Sequence, residues 1–139
     1  MEKGLNGLFD PENIDVRTYS PLTLAFMGDA VFELLVRRSL CTSGKTVNGK
    51  LHKETVARVC APAQAAFVGR ILRHLTEEET AVYKRGRNAH VSNIPKNATA
   101  SEYGKATGLE ALFGWLYLRG QTERVEELFA LGQEEDHAL

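Results

Sequence analysis

LAFMGDAVFELL, from Leu24 to Leu35, and GLEALFGWLYL, from Gly108 to Leu118, decide the reading of this chain. Each is an apolar run carrying a carboxylate where a core helix would not want one: Asp29 in the first, Glu110 in the second. Taking an ionised carboxylate out of water costs several kcal/mol unless a partner offsets it, so each acid asks what cation it meets. Two such acids on separate helices suggest a shared metal ion. A buried arginine or a neighbouring helix end answers a single acid equally well, and finding the arrangement twice weakens that reading.

At about 100° per residue, Leu24, Met27, Val31, Leu34 and Leu35 share one side of the first helix, with Ala25, Phe32 and Val36 nearly opposite. Apolar on both sides, it reads as a central helix. Asp29 and, one turn on, Glu33 form its charged arc, and Gly28 beside them lets another backbone come close. On the second wheel Tyr103, Ala106, Thr107, Gly114 and Tyr117 surround Glu110, while Leu109, Leu112, Trp115 and Leu116 face away.

The rest of the chain is helical in period, with no alternating run of β-branched residues, and the class is all-α with six to seven helices. Ser20 and Pro21 supply an N-cap and a first helical position for the first long helix, which should end before Thr42-Ser43-Gly44. Further helices are expected from Lys50 to Val59, from Pro62 to Leu75, from the capping box of Thr76 and Glu79 to about Gly86, from Thr99 or Ser101 to Gly120, and from Thr122 onward. Asn93, Pro95 and Asn97 mark a loop. SGKT at Ser43 to Thr46 is no phosphate loop, because Ser39 stands where the motif needs glycine and no strand precedes it.

With 139 residues, 43% of them hydrophobic, the chain reads as one domain spanning residues 1–139, with an acidic tail from about residue 132. Cys41 and Cys60 form no CxxC and support neither a disulfide framework nor a zinc site. The four histidines His52, His74, His90 and His137 are scattered, and no serine or cysteine has a base beside it in sequence. No basic leader followed by an apolar run opens the chain and no stretch reaches membrane-span length, so a soluble cytoplasmic protein without a membrane partner is expected.

Net charge is −1, but unevenly divided. The last nineteen residues hold six acids and one arginine, leaving the first 120 with sixteen basic and twelve acidic residues. KRGRNAHVSNIPKN, from Lys84 to Asn97, carries four permanent positive charges and no acid. Arg85, Arg87 and Lys96 suit a phosphate backbone, with Asn88 and Asn97 as hydrogen-bonding neighbours. Basic residues also suit a helix C-terminus, and charge alone leaves both readings open. Lys50, His52 and Lys53 form a second basic cluster, for which an ordinary solvated helix face stands equally.

GDAVFEL followed roughly eighty residues later by GLEALFGWLYL resembles the paired signature of the ribonuclease III catalytic domain, an endonuclease that cuts double-stranded RNA. VNGKLHKETVARVCAPAQAAF, LTEEETAVYKRGRNA and IPKNATASEYGKATGLEAL extend the likeness, from about Ser20 to Leu131, to the miniature branch of that family, the Mini-ribonuclease III proteins, which lack the separate double-stranded-RNA-binding domain. The resemblance implies the helical endonuclease fold as a homodimer, packing signature helices around Phe26, Phe32 and Val36. It implies Asp29 and Glu110 as catalytic residues and ligands of Mg2+, with Mn2+ a substitute and Glu33 an outer-shell acid, and products with 5′-phosphate and 3′-hydroxyl ends. RGRNA and PKN lie where the family places its substrate-contacting loop. The substrate it implies is double-stranded precursor ribosomal RNA, in maturation of the large-subunit (23S) species, with room for a ribosomal-protein helper. The chain departs from full-length ribonuclease III at Leu22, Ala25 and Thr107, where that enzyme carries further acids. The departures put a second metal ion in doubt and are the best support for a rival reading, a non-catalytic RNA-binding module of the same fold.

Overall fold

A computed structural model describes residues 15–44, 48–89 and 96–133. Within them lie six α-helices, α1 (Pro21–Ser43), α2 (Asn48–Val59), α3 (Ala61–Ile71), α4 (Glu77–Arg87), α5 (Ala100–Leu118) and α6 (Thr122–Gly132), with 3-10 turns at Val16–Thr18 and Leu72–His74. No strand occurs among the described residues. None of these helices is long and apolar enough to cross a membrane.

Local chemistry sets the boundaries. The Ser20 hydroxyl accepts from the Thr23 amide at the start of α1, and Gly44 ends that helix with φ 71°. The expected stop before Thr42 is too early: α1 runs through Ser43, with the Thr42 hydroxyl bonded back to the Arg38 carbonyl. Thr76 with Glu79, and Thr99 with Glu102, both form reciprocal capping boxes, so α4 and α5 start where side-chain acceptors meet free amides. The helix expected from Pro62 to Leu75 is α3 followed by the 3-10 turn, and Leu75 is extended.

The central helix is α5, not α1. Ala106 to Leu109 and Ala111 to Leu116 are buried all round α5, which packs on α1, α4, α3 and α6. Phe32, Phe67, Phe113 and Phe129, from α1, α3, α5 and α6, interlock mainly edge-on, with Phe32 5.1–5.7 Å from the other three ring centres. Such edge-to-face pairs add to the burial of the rings themselves. One arc of α1 remains open, where Leu22, Phe26 and Leu34 are exposed, Phe26 to 82%. Phe32 and Val36, expected beside Phe26 at a dimer interface, are instead 2% exposed within the chain's own core. On the wheel they fall 80–120° from Phe26, about a quarter to a third of a turn, enough to carry them off the open arc.

Arg124 locks α6 to the start of α4. Its guanidinium donates to both Glu79 oxygens at 2.8 Å and to the His74 carbonyl at 2.8 Å. Burial works to raise the Glu79 carboxyl, but the Arg124 bonds and the Thr76 cap outweigh it and hold the group below its usual range. This acid has found its arginine.

Candidate metal and RNA site

Where α1 crosses α5 the two backbones touch. A Cβ on Gly28 would collide with the main-chain carbonyl of Glu110, and one on Gly114 with the carbonyl of Leu24. The close approach inferred from Gly28 is therefore real, and its partner is the second apolar run. It brings the side chains of Asp29 and Glu110 within hydrogen-bonding reach of each other.

The two acids sit in different surroundings. Asp29 is exposed and Glu110 partly so, so neither acid is fully buried, against the expectation, and Glu110 is the more enclosed of the two. On the helical wheel Asp29 falls at the edge of the buried arc of α1, next to Leu22 and Glu33. Burial, with the Asp29 charge alongside, pushes the Glu110 carboxyl up to about 8, against a smaller opposing influence of the Gln64 amide. No arginine or lysine is bonded to either acid among the described residues, unlike Glu79. A carboxyl raised by burial and by a neighbouring acid, with no basic side chain bonded to it among the described residues, is a place that suits a cation.

The shift fixes a pH dependence for the cation-free protein. Between about 4.5, the ordinary value of Glu110, and about 8, its folded value, the unfolded chain has released a proton that the folded chain keeps. The stability linked to Glu110 is thus fully present below about 4.5, falls as pH rises, and is gone above about 8. Glu110→Gln, neutral throughout, should flatten this slope. In urea unfolding with chelator present, the variant should match wild type near pH 4.5 and exceed it by roughly 2–4 kcal/mol at pH 8.5, each tenfold in proton affinity being about 1.4 kcal/mol. Parallel pH profiles for the two proteins would contradict the assignment.

Glu33 lies one turn beyond Asp29 and is bonded to Arg37, with Arg37 Nε 2.8 Å from its carboxylate. Ala25 and Thr107, two of the positions where full-length ribonuclease III carries acids, are buried, and the Thr107 hydroxyl is spent on the Tyr103 carbonyl at 3.0 Å. Leu22, the third, is exposed. Among the described residues no group of three or more acids, histidines or cysteines is arranged to hold a metal.

The basic segment ends α4 beside this crossing. Arg85, Arg87 and Asn88 are exposed, with Arg87 Nε donating to Asn88 Oδ1 at 3.2 Å. A Cβ on Gly104 would meet the Arg87 carbonyl at 3.0 Å, so this end of α4 abuts the first turns of α5, roughly 9 Å along the axis from Glu110. Lys96 and Asn97 are exposed in the turn before α5. His90, Asn93, Pro95 and the acidic stretch 134–139 lie outside the described residues. Lys50, His52 and Lys53 are exposed on α2, which packs on α1 and α3. The structure thus joins Asp29 to Glu110, sets Arg85, Arg87 and Asn88 near the same helix, and leaves the α2 cluster on a separate element.

Sequence reading missed Gln64. It is 2% exposed, on α3, and the amide reaches toward the Glu110 carboxyl. Its signal was present: Gln64, Phe67, Val68 and Ile71 share one face at helical spacing, and the glutamine is the one polar member.

Residues 22–121 match the ribonuclease III domain family. A Mini-ribonuclease 3 of Symbiobacterium thermophilum is 46% identical over 111 residues, covering 80% of this chain and 85% of that protein. A Mini-ribonuclease 3 of Thermoanaerobacter sp. is 42% identical over 135 residues, covering 94% and 95%. The X-ray structure of a Fusobacterium nucleatum protein, 35% identical, superposes with a TM-score of 0.75 over 84% of this chain and 93% of that one. Likeness of this extent, spanning both acid-bearing helices, makes the chain a member of the ribonuclease III domain family and an endoribonuclease.

Proposed function

We infer that this endoribonuclease cuts double-stranded RNA at Asp29 and Glu110 with the help of a divalent cation, magnesium by preference and manganese as a substitute. The observation that carries the reading is the pair of carboxyls at the α1–α5 crossing, one open to solvent and one raised by burial and by its neighbour. Hard oxygen donors suit magnesium, and a two-carboxylate set suits an ion that keeps several waters and takes further ligands from a substrate phosphate. A cation bound there supplies Lewis acidity to the scissile phosphodiester and makes a nearby water a better nucleophile. Glu110, set into the crossing, fixes the inner edge of the site, while Asp29 meets the substrate from the solvent side. Glu33 is read as an outer-shell acid, oriented by Arg37.

Arg85, Arg87, Asn88, Lys96 and Asn97 are read as backbone contacts, with Lys50, His52 and Lys53 as a second phosphate-facing cluster. Recognition of an RNA duplex then rests on shape, phosphates and 2′-hydroxyls, with modest sequence preference. Exposed Leu22, Phe26 and Leu34 supply an apolar face for a homodimer, whose two sites would cut the two strands across a local two-fold axis. Residues 1–139 are taken as one catalytic domain with an acidic tail. The ends produced are 5′-phosphate and 3′-hydroxyl, the target is the 23S precursor in the cytoplasm, and a ribosomal protein is a fitting helper.

The test is an end-labelled RNA duplex incubated with the protein in magnesium, in manganese, and in chelator. Cutting in either metal and none in chelator is expected. Cutting that persists in chelator, or duplex binding without cutting in any condition, would overturn the metal reading. Arg85→Ala with Arg87→Ala should weaken duplex binding about tenfold or more near 0.1 M salt and flatten its salt dependence by about two phosphates' worth. Unchanged affinity would remove this segment from the RNA surface.

A further inference from the structure

The face that α3 turns to the core is Gln64, Phe67, Val68 and Ile71. Three of the four are apolar, and Gln64 is 2% exposed with its Nε2 lacking any hydrogen-bond partner among the described residues. An amide N–H held out of water without an acceptor is destabilising, and native structures seldom keep one without a use. Leucine or methionine would fill the same space without that cost. The ionisable group this amide reaches is the Glu110 carboxyl, on the helix against which α3 packs. The amide lies near enough to act on that carboxyl, pulling it down against the effect of burial, yet Nε2 falls short of hydrogen-bond geometry to any acceptor among the described residues.

We propose that Gln64 is a positioning residue that donates its side-chain amide to the Glu110 carboxylate when a divalent cation is held between Glu110 and Asp29. The proposal rests on the two-carboxylate reading above and deepens it. A carboxylate has two oxygens, and one fixed by a buried N–H leaves the other turned toward the cation. Partners behind a metal ligand commonly set its orientation and are worth 10–100-fold in metal affinity. An amide fits this place for a specific reason. Lysine or arginine would repel the cation and compete for the carboxylate as an ion pair, and an acid would add a further charge to be buried, whereas a glutamine N–H is neutral at every pH and can only donate to the ionised group. The donor is unsatisfied while the carboxyls face each other, and becomes satisfied when the cation separates them.

The reading makes an unusual pair of expectations for Gln64→Met, which keeps the volume and removes the amide. In chelator the variant should melt at the same temperature as wild type or higher, because an unpartnered donor has been taken from the core. Binding of Mn2+ to the RNA-free protein, followed by electron paramagnetic resonance, should be weaker by about tenfold or more. Duplex cleavage should be lost at low magnesium and recover as magnesium is raised. A variant that melts earlier by clearly more than the roughly 5 °C that a volume-conserving core swap costs at most in a domain of this size overturns the proposal, because that loss means the amide was already bonded. Equal Mn2+ binding by wild type and Gln64→Met overturns it while leaving the two-carboxylate site standing. Absence of Mn2+ binding by the wild-type chain sinks that site and Gln64's role together.

Discussion

Asp29→Asn and Glu110→Gln are each expected to slow duplex cleavage by about a thousandfold or more, while duplex affinity stays within about threefold. Each substitution preserves the volume and removes a charge, so what disappears is attraction for a cation. A thousandfold in rate corresponds to about 4 kcal/mol of transition-state stabilisation, within reach of one carboxylate that holds a metal against a developing phosphate charge. The usual objection to such a result, that the variant has merely unfolded, is answered in advance for Glu110→Gln, which in chelator should be the more stable protein above neutral pH. A stabilised protein without activity has lost chemistry and not structure. The measurement is a single-turnover rate on labelled duplex at saturating magnesium, beside a binding isotherm in calcium. Full activity in either variant would remove that residue from the site.

Gly28→Ala should be among the most damaging single-methyl changes in the chain. The added Cβ would meet three main-chain atoms of α5, the Glu110 carbonyl oxygen and carbon and, at 2.8 Å, the Gly114 nitrogen. No rotamer change can move those atoms, so the helices must separate, opening the core on both sides of the crossing. A loss of about 3–5 kcal/mol follows, or a fall in melting temperature of roughly 10–15 °C for a domain of this size. Gly69→Ala is the matched control. It lies in the interior of α3 with nothing within 4 Å of the added carbon, and alanine's better helix propensity should leave stability unchanged or raised by up to about 1 kcal/mol. Melting curves that do not separate the two variants would mean the helices do not cross where the glycines say.

These two glycines also illustrate what the sequence could and could not tell. Capping residues at Ser20, Thr76 and Thr99 act within four positions of themselves, so helix starts were legible from local chemistry. The acid pair was legible because a carboxylate in an apolar run violates the pattern around it. Which helix lies at the centre was not: α1 and α5 have comparable apolar content, and only the packing shows that α5 is enclosed while α1 keeps Phe26 outside. The same ambiguity misplaced Phe32 and Val36. A wheel gives the angle between side chains but not where the neighbouring helix will sit. Gln64 escaped notice because its oddity is relational. A glutamine is ordinary in a helix, and becomes informative only once its face is known to be buried and its neighbour to be Glu110.

One consequence of the crossing concerns the order of events as the chain is made. Asp29 and Glu110 are separated by about eighty residues of chain, and the contact that unites them belongs to the most extensive helix pairing among the described residues. Closing so long a loop is entropically costly and is repaid only when α5 is present to be packed against. A nascent chain emerging from the ribosome therefore carries Asp29 without the helix that brings Glu110 to it until α5 follows it out. The proposed site is in this way absent from the early nascent chain and comes together only once α5 has been made, which holds back RNA cleavage beside the translating ribosome.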